Sequence, residues 1–179
     1  MDDIELARHG DAAALGRLVV AHQEFVGRLM WRFTRDRLEW ESLVQDTFVE
    51  MCRSIRDFRG DAELTTWLAR IATRVGYRSW RRRRRDRRRA LPLPPDAANR
   101  LPATPTPTEA ASLLHELLAR LDPPERLALT LVYLEGLTLR EAAQRAGWSE
   151  GGMKMRLMRA RQRLADEARA CGLEPGDLP

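Results

Sequence analysis

The chain has 179 residues, 44% of them hydrophobic, and a formal net charge of +5. That length suits one medium domain or two small ones with packed cores, and the positive balance favours an anionic partner. No apolar run approaches membrane-spanning length, and the start Met1-Asp2-Asp3-Ile4-Glu5 lacks the basic-then-apolar order of a secretory signal. A cytoplasmic protein without membrane insertion is the expectation. Cys52 and Cys171 are too few and too far apart for a disulfide framework or a metal site, and His9, His22 and His115 stand isolated. With no phosphate-cradling glycine loop and no nucleophile near a base, neither a cofactor nor an enzymatic activity is expected.

From about Asp11 to Arg37, Leu15, Leu18, Val19, Phe25, Val26, Leu29, Met30 and Phe33 recur three and four apart, which predicts a helix with His22 packed on or beside its apolar face. A second helix is predicted from about Glu39 to Arg56, with Val44, Phe48, Met51 and Ile55 inward. Its other side carries Glu41, Ser42, Gln45, Asp46 and Val49. Such a face is either solvated or a docking surface, and periodicity does not choose between them.

Asp57-Phe58-Arg59-Gly60-Asp61 breaks the pattern and reads as a loop. A third helix follows from about Ala62 into the arginine run Arg81 to Arg85 and Arg87 to Arg89, with Leu64, Trp67, Leu68, Ile71 and Val75 inward. Arg70, Arg74 and Arg78, spaced four apart, line one outer strip beside Tyr77. A cationic strip opening from a glycine loop suits a nucleic-acid strand: arginine holds phosphates while Tyr77, Trp80 or Phe58 offers a face to an unpaired base.

Helical order then fails over Leu91-Pro92-Leu93-Pro94-Pro95 and Leu101 to Pro107, which reads as an extended linker. Thr106-Pro107-Thr108-Glu109 is a helix-start signal, and Asp122-Pro123-Pro124-Glu125 repeats it. Leu113, Leu114, Leu117, Leu118 and Leu121 face inward from the first of these helices. The second runs through Leu127, Leu131 and Leu134 to Gly136.

The stretch from Thr138 to Arg163 reads as two short helices across a tight turn. Thr138 with Glu141 is the capping-box pattern, Gly147 stops the first helix, and Ser149 caps the second. Met153, Leu157, Ala160 and Leu164 form an inner stripe, while Lys154, Arg156, Arg159, Arg161 and Arg163 occupy the remaining surface. A basic second helix after a glycine turn describes a DNA-binding helix-turn-helix. The whole is all-α: two small helical domains joined by a flexible linker. The boundaries expected are 1–85 for the first domain, 86–105 for the linker, 106–170 for the second domain and 171–179 for a tail.

These stretches together resemble the extracytoplasmic-function (ECF) sigma factors of the sigma-70 family. The resemblance is carried by Leu43-Val44-Gln45-Asp46-Thr47-Phe48, Phe58-Arg59-Gly60-Asp61, Thr66-Trp67-Leu68 with Arg70-Ile71-Ala72, and Leu121-Asp122-Pro123-Pro124-Glu125-Arg126. Tyr133-Leu134-Glu135-Gly136-Leu137-Thr138 and Met153-Lys154 through Arg159-Ala160-Arg161 complete it. It implies a promoter-specificity subunit that binds core RNA polymerase and promoter DNA under the control of an anti-sigma factor. Glu41, Ser42, Gln45, Asp46 and Val49 would dock on core polymerase. Phe58, Arg59, Gly60, Asp61, Arg70, Arg74, Tyr77 and Arg78 would take the minus-ten element as it melts. Arg140, Ser149, Glu150, Gly151, Lys154, Met155, Arg156, Met158 and Arg159 would meet the minus-thirty-five element.

Several positions depart from the family pattern. Ser42 stands where aspartate is frequent, and Arg74 where asparagine is common. Gly152 and Met155 replace a usual threonine and serine. Glycine in a helix interior costs about 0.5–1 kcal/mol relative to alanine, and Met155 donates no hydrogen bond but can touch a thymine methyl. The alternative from the same residues is a helix-turn-helix regulator without a sigma role, which would bind a palindromic site unaided. An arginine-rich RNA-binding scaffold is a further alternative; it would tolerate loss of residues 138–164.

Overall fold

A computed structural model describes residues 2–89 and 107–172, without the side chains of 88, 89 and 107–110. Every regular element among them is helical, and the chain divides into two compact units, residues 1–81 and 82–179. The all-α, two-domain expectation is met. Most of the predicted linker and tail lies outside the described residues, but 86–89, assigned above to the linker, continue the preceding helix.

In the first unit α1 spans Asp3–Arg8, α2 Ala12–Trp31, α3 Arg37–Ser54 and α4 Leu64–Arg89, the last running on past the unit's boundary. Helix α1 is too short to show a period in the sequence. It is tied to α2 by a two-pronged ion pair of Arg17 with Asp3, closest at 2.6 Å. Asp11 caps α2, accepting from the Ala14 amide at 2.8 Å.

The helix expected from about Asp11 to Arg37 ends at Trp31, so the corner before the next helix falls at residues 32–36 rather than between Arg37 and Glu39. The break is polar rather than glycine- or proline-driven. Asp36 caps α3 by accepting from the Glu39 amide at 2.7 Å, while buried Thr34 donates to Glu39 Oε2 at 2.6 Å and accepts from the Asp36 amide. Across the corner the Trp40 indole donates to the Gly27 carbonyl at 2.8 Å, and a Cβ on Gly27 would lie 3.0 Å from that ring. Any side chain at 27 would therefore oblige the Trp40 ring to shift by a few tenths of an ångström.

The inner face of this unit holds Leu18, Val26, Met30, Leu43, Phe48, Met51, Ile55, Leu68, Ile71 and Val75. His22 is half-buried, its ring Nδ1 2.8 Å from the Leu18 carbonyl, a packing role as expected. Trp80 is 3% exposed, stacks on Phe33 with ring centroids 4.6 Å apart, and donates its indole N–H to the Phe33 carbonyl at 2.7 Å. Gly76 leaves room for that Phe33 ring, which a Cβ would strike.

In the second unit α5 spans Pro107–Arg120, α6 Pro123–Leu129, α7 Leu139–Ala146 and α8 Glu150–Ala170. Helices α5, α6 and α7 all pack on α8. Leu117, Leu118, Leu121, Leu127, Leu131, Ala142, Ala143, Met153, Leu157 and Ala160 are buried between them, with Leu113, Leu114 and Leu164 half-buried at the margin. The side chain of Thr106 and its box partner lie outside the described residues, but a helix does begin at Pro107.

The second start signal works differently from expectation. Asp122 occupies the N-cap position without a side-chain hydrogen bond to the helix, and its carboxylate pairs instead with Arg163 at 3.0 Å. Arg163 also reaches buried Glu125 at 2.9 Å. After Leu129 the helix widens into a π turn over Thr130–Leu134, in which the Glu135 amide donates to the Thr130 carbonyl at 2.9 Å. Gly136, at φ 67°, ends it.

Candidate nucleic-acid and polymerase interfaces

Three surfaces emerge, two on the first unit and one on the second. On α3, the stripe Val44, Phe48, Met51 turns inward, which forces Glu41, Ser42, Gln45, Asp46 and Val49 outward together. Val49 is 46% exposed and Leu38, one turn before Glu41 and Ser42, is 78% exposed. Glu41 is held by Arg37 at 3.1 Å, an exposed pair of small worth. The face is thus polar with an apolar residue at each end, and Leu38 belongs to it although sequence reasoning missed it. Its signal was positional: it is the first apolar residue after a capping aspartate, too early for the periodic stripe.

The second surface follows the short 3-10 turn Ile55–Asp57. Arg59, Gly60 and Asp61 are exposed, with Gly60 at φ 78°, a left-handed conformation that glycine adopts without strain. Helix α4 then carries Arg70, Arg74 and Arg78 on its exposed side, because Leu68, Ile71, Ala72 and Val75 point inward. Arg78 is paired with Glu50 at 3.2 Å, whereas Arg70 and Arg74 meet no acidic partner among the described residues. Tyr77 is half-buried under the Arg81 guanidinium, which lies 5.9 Å from its ring centre.

Two aromatic expectations are corrected here. Phe58 is only 6% exposed, with its ring centroid 5.1 Å from that of half-buried Trp67. Trp80 is the core residue already described. Neither presents a face to solvent in this conformation. The apolar area of each ring is better buried than wetted, and the turn at Ile55–Asp57 folds Phe58 back under α4. The loop keeps its exposed backbone and charges; its aromatic member serves packing.

The third surface is the exposed side of α8. Its approach is built by α7, which opens on a complete capping box. Thr138 Oγ1 accepts from the Glu141 amide at 3.3 Å, and the Glu141 carboxylate accepts from the Thr138 amide at 2.9 Å. The Thr138 hydroxyl and amide hold the Glu141 carboxyl below its ordinary range. Gly147 at φ 73° makes the turn, and Ser149 caps α8 by accepting from the Gly152 amide at 3.1 Å. Ser149 is therefore engaged in shaping the helix start.

With Met153, Leu157 and Ala160 buried, α8 exposes Glu150, Gly151, Lys154, Met155, Met158 and Arg159, while Arg140 is exposed on α7. Met155 and Met158 are 46% and 58% exposed. The cations of α8 are sorted by their neighbours. Arg161 donates to the Tyr133 hydroxyl and lies over its ring, and Arg163 bridges Asp122 and Glu125. Arg156 lies 4.4 Å over the Trp148 ring and donates to the Gly152 carbonyl at 2.9 Å. Lys154 and Arg159 meet no acidic partner among the described residues and stand beside the two exposed methionines.

Buried small-faced packing of α7 on α8 with a cationic outer face is the geometry of a helix-turn-helix. Comparison with known proteins agrees. Residues 18–86 match the family model for Sigma-70 region 2, and residues 111–164 that for Sigma-70 region 4. The ECF RNA polymerase sigma factor SigM of Mycobacterium tuberculosis is 30% identical over 162 residues, covering 89% of this chain and 81% of that protein. The ECF RNA polymerase sigma factor SigE of Mycolicibacterium smegmatis is 36% identical over 167 residues, covering 88% of this chain but only 63% of that longer protein.

Among solved structures, CnrH in complex with the cytosolic domain of CnrY is similar at a TM-score of 0.62 and 25% identity, covering 94% of this chain and 96% of that one. RpoE from Bartonella quintana, solved with the anti-sigma factor NepR, has a TM-score of 0.59 at 21% identity, covering 86% and 96%; that likeness concerns the fold. The chain belongs to the ECF sigma factors of the sigma-70 family. As a sigma factor it directs promoter-specific transcription by RNA polymerase. No helix among the described residues is long and apolar enough to cross a membrane.

Proposed function

We propose that the three surfaces divide the work of initiation. The α3 face of Leu38, Glu41, Ser42, Gln45, Asp46 and Val49 docks on core RNA polymerase. The exposed loop Arg59-Gly60-Asp61 with Arg70, Arg74, Tyr77 and Arg78 engages the minus-ten element as it opens. Helix α8 reads the minus-thirty-five element as duplex through Lys154, Met155, Met158 and Arg159, with Arg140 at its approach and Glu150 and Gly151 at its N-terminus. The observation that carries this division is the sorting of cations. On α4 Arg78 is paired with Glu50 while Arg70 and Arg74 meet no acidic partner among the described residues, and on α8 Arg156, Arg161 and Arg163 have internal partners while Lys154 and Arg159 meet no acidic one among them.

Free guanidinium and ammonium groups bind phosphate and release counterions, which supplies affinity. The exposed methionines supply apolar contact for thymine methyls, and Lys154 or Arg159 a donor for guanine edges. On α4, Arg74 stands where asparagine is common; a guanidinium donates without accepting, so it can pair with phosphate but cannot make the donor–acceptor contact that an amide makes with adenine. Opening a base pair costs a few kcal/mol, which contacts to the separated strand must offset.

An anti-sigma partner is part of the proposal. CnrH, similar at 25% identity, was solved in complex with the cytosolic domain of CnrY, and the α3 face, polar with exposed Leu38 and Val49, is the surface an anti-sigma partner would cover to block polymerase. The protein itself is proposed to be non-catalytic. Mapping transcription starts across its own genome in vitro, with core polymerase alone and with this protein added, tests the reading. New starts sharing upstream and downstream elements are expected; no new start, or palindrome binding without polymerase, would favour the regulator alternative.

A further inference from the structure

The start of α8 holds an arrangement that family resemblance does not explain. Trp148 lies immediately before the capping Ser149, and the Arg156 guanidinium is folded back over its ring at 4.4 Å. One of its terminal nitrogens donates to the Gly152 carbonyl, one turn earlier, at 2.9 Å. A Cβ on Gly152 would stand 2.9 Å from that same nitrogen and 3.0 Å from Ser149 Oγ. A side chain at 152, the position where a threonine is usual, would thus oblige the tip of Arg156 to move from where it lies. Arg156 is half-buried, while Lys154, Met155, Met158 and Arg159 around it are exposed.

Long helical side chains lean toward the helix N-terminus, the direction in which Arg156 reaches back to Gly152 and Trp148. The planar guanidinium offers its face to the indole and one N–H edge to the carbonyl. A bidentate grip on the O6 and N7 of guanine needs two parallel N–H groups on an extended side chain. An arginine held by Trp148 and Gly152 does not extend in that way.

We propose that Trp148 and Gly152 are specificity-determining positioning residues: together they hold Arg156 off the base edges, so that this sigma factor reads its upstream element without an arginine contact from position 156. The choice of base then falls to Lys154, Met155, Met158 and Arg159. The inference rests on the reading of α8 as the upstream-element reader and adds what sets its selectivity.

The test is in vitro transcription by core polymerase with the full chain on a promoter library randomised in the upstream element. Wild type, W148A, G152A, R156A and the double variant W148A/R156A are compared for base preference at each position. G152A reaches the same end by a second route, since the added methyl meets only the mobile end of Arg156 and the Ser149 hydroxyl.

R156A is expected to keep the wild-type preferences within about twofold. W148A and G152A are each expected to gain a preference for guanine of about tenfold at one position, the scale of a good bidentate contact. The double variant is expected to lose that gain, which a purely structural defect at Trp148 would not do. The proposal is overturned if R156A erases a preference of the wild type, because Arg156 then reads DNA from its folded position. It is also overturned if G152A retains the wild-type profile, whatever W148A does. A wild type indifferent to the upstream element would remove the reading of α8 itself, a failure visible before any variant is compared.

Discussion

Helices α4 and α8 are both arginine-rich, yet they use their cations in different ways. Helix α4 sets Arg70, Arg74 and Arg78 in a strip of which, among the described residues, only Arg78 is tied to an acidic partner, Glu50. Helix α8 commits Arg156, Arg161 and Arg163 to Trp148, Tyr133 and the Asp122–Glu125 pair, leaving Lys154 and Arg159 beside two exposed methionines. The first is a phosphate-holding strip beside a loop; the second is a small mixed reading face. Charge density along a sequence therefore overstates a binding surface wherever neighbouring elements supply aromatic rings and carboxylates.

The comparison can be broken first at its aromatic residues, where the effects are largest. Trp80→Ala removes a buried ring and its hydrogen bond to the Phe33 carbonyl, and Phe58→Ala removes the ring packed on Trp67. Each is expected to lower the stability of the first unit by about 3–5 kcal/mol, measured by chemical denaturation. A Phe58→Ala variant that stays fully stable but cannot open promoters would restore Phe58 to the DNA contacts.

Next come the cations without acidic partners. Lys154→Ala and Arg159→Ala should each weaken dependence on the upstream element by about 1–3 kcal/mol if they contact base edges, measured as the ratio of initiation with and without a matched element. Arg70→Ala and Arg74→Ala should instead shallow the salt dependence of binding to the separated strand, by about 0.7 in log–log slope for each phosphate no longer held. Fluorescence anisotropy of the holoenzyme on single-stranded probes reads this directly. Unchanged slopes would remove these arginines from the strand contacts.

The smallest effect concerns the α7 capping box. Thr138→Ala should cost about 1 kcal/mol. The Glu141 carboxyl is held below its ordinary range by Thr138, so its stabilising contribution is complete above the ordinary glutamate range and fades as the pH falls through the lowered value. Glu141→Gln should remove that acid-sensitive component from thermal melts; a variant with the same acid slope as wild type would contradict the assignment.

Much of this was legible from spacing alone. The stripes Val44–Phe48–Met51–Ile55 and Met153–Leu157–Ala160 are buried as their periods require, and the Thr138–Glu141 box with the Gly147 turn is present as read. What spacing could not show was the partner of each side chain. The α2–α3 corner depends on hydrogen bonds of Thr34 and Asp36, which lie just past the last residue of the apolar period, Phe33. The burial of Phe58 and Trp80 depends on rings distant in sequence for Trp80, and on a fold-back turn for Phe58. The folding back of Arg156 onto Trp148 places its tip against Gly152, which in the sequence was a mere departure from pattern. Linear order reports periodicity and caps well; it is silent on which of several like charges will be neutralised.

The central claim is that α4 acts on the opening strand and α8 on the duplex. It is tested most directly by run-off transcription with core polymerase on two templates, one fully duplex and one pre-melted across the minus-ten element. Arg70→Ala/Arg74→Ala should be restored to near wild-type output by the pre-melted template, while Lys154→Ala/Arg159→Ala should stay as impaired as on duplex. Equal rescue of both variants, or of neither, would contradict the division of labour.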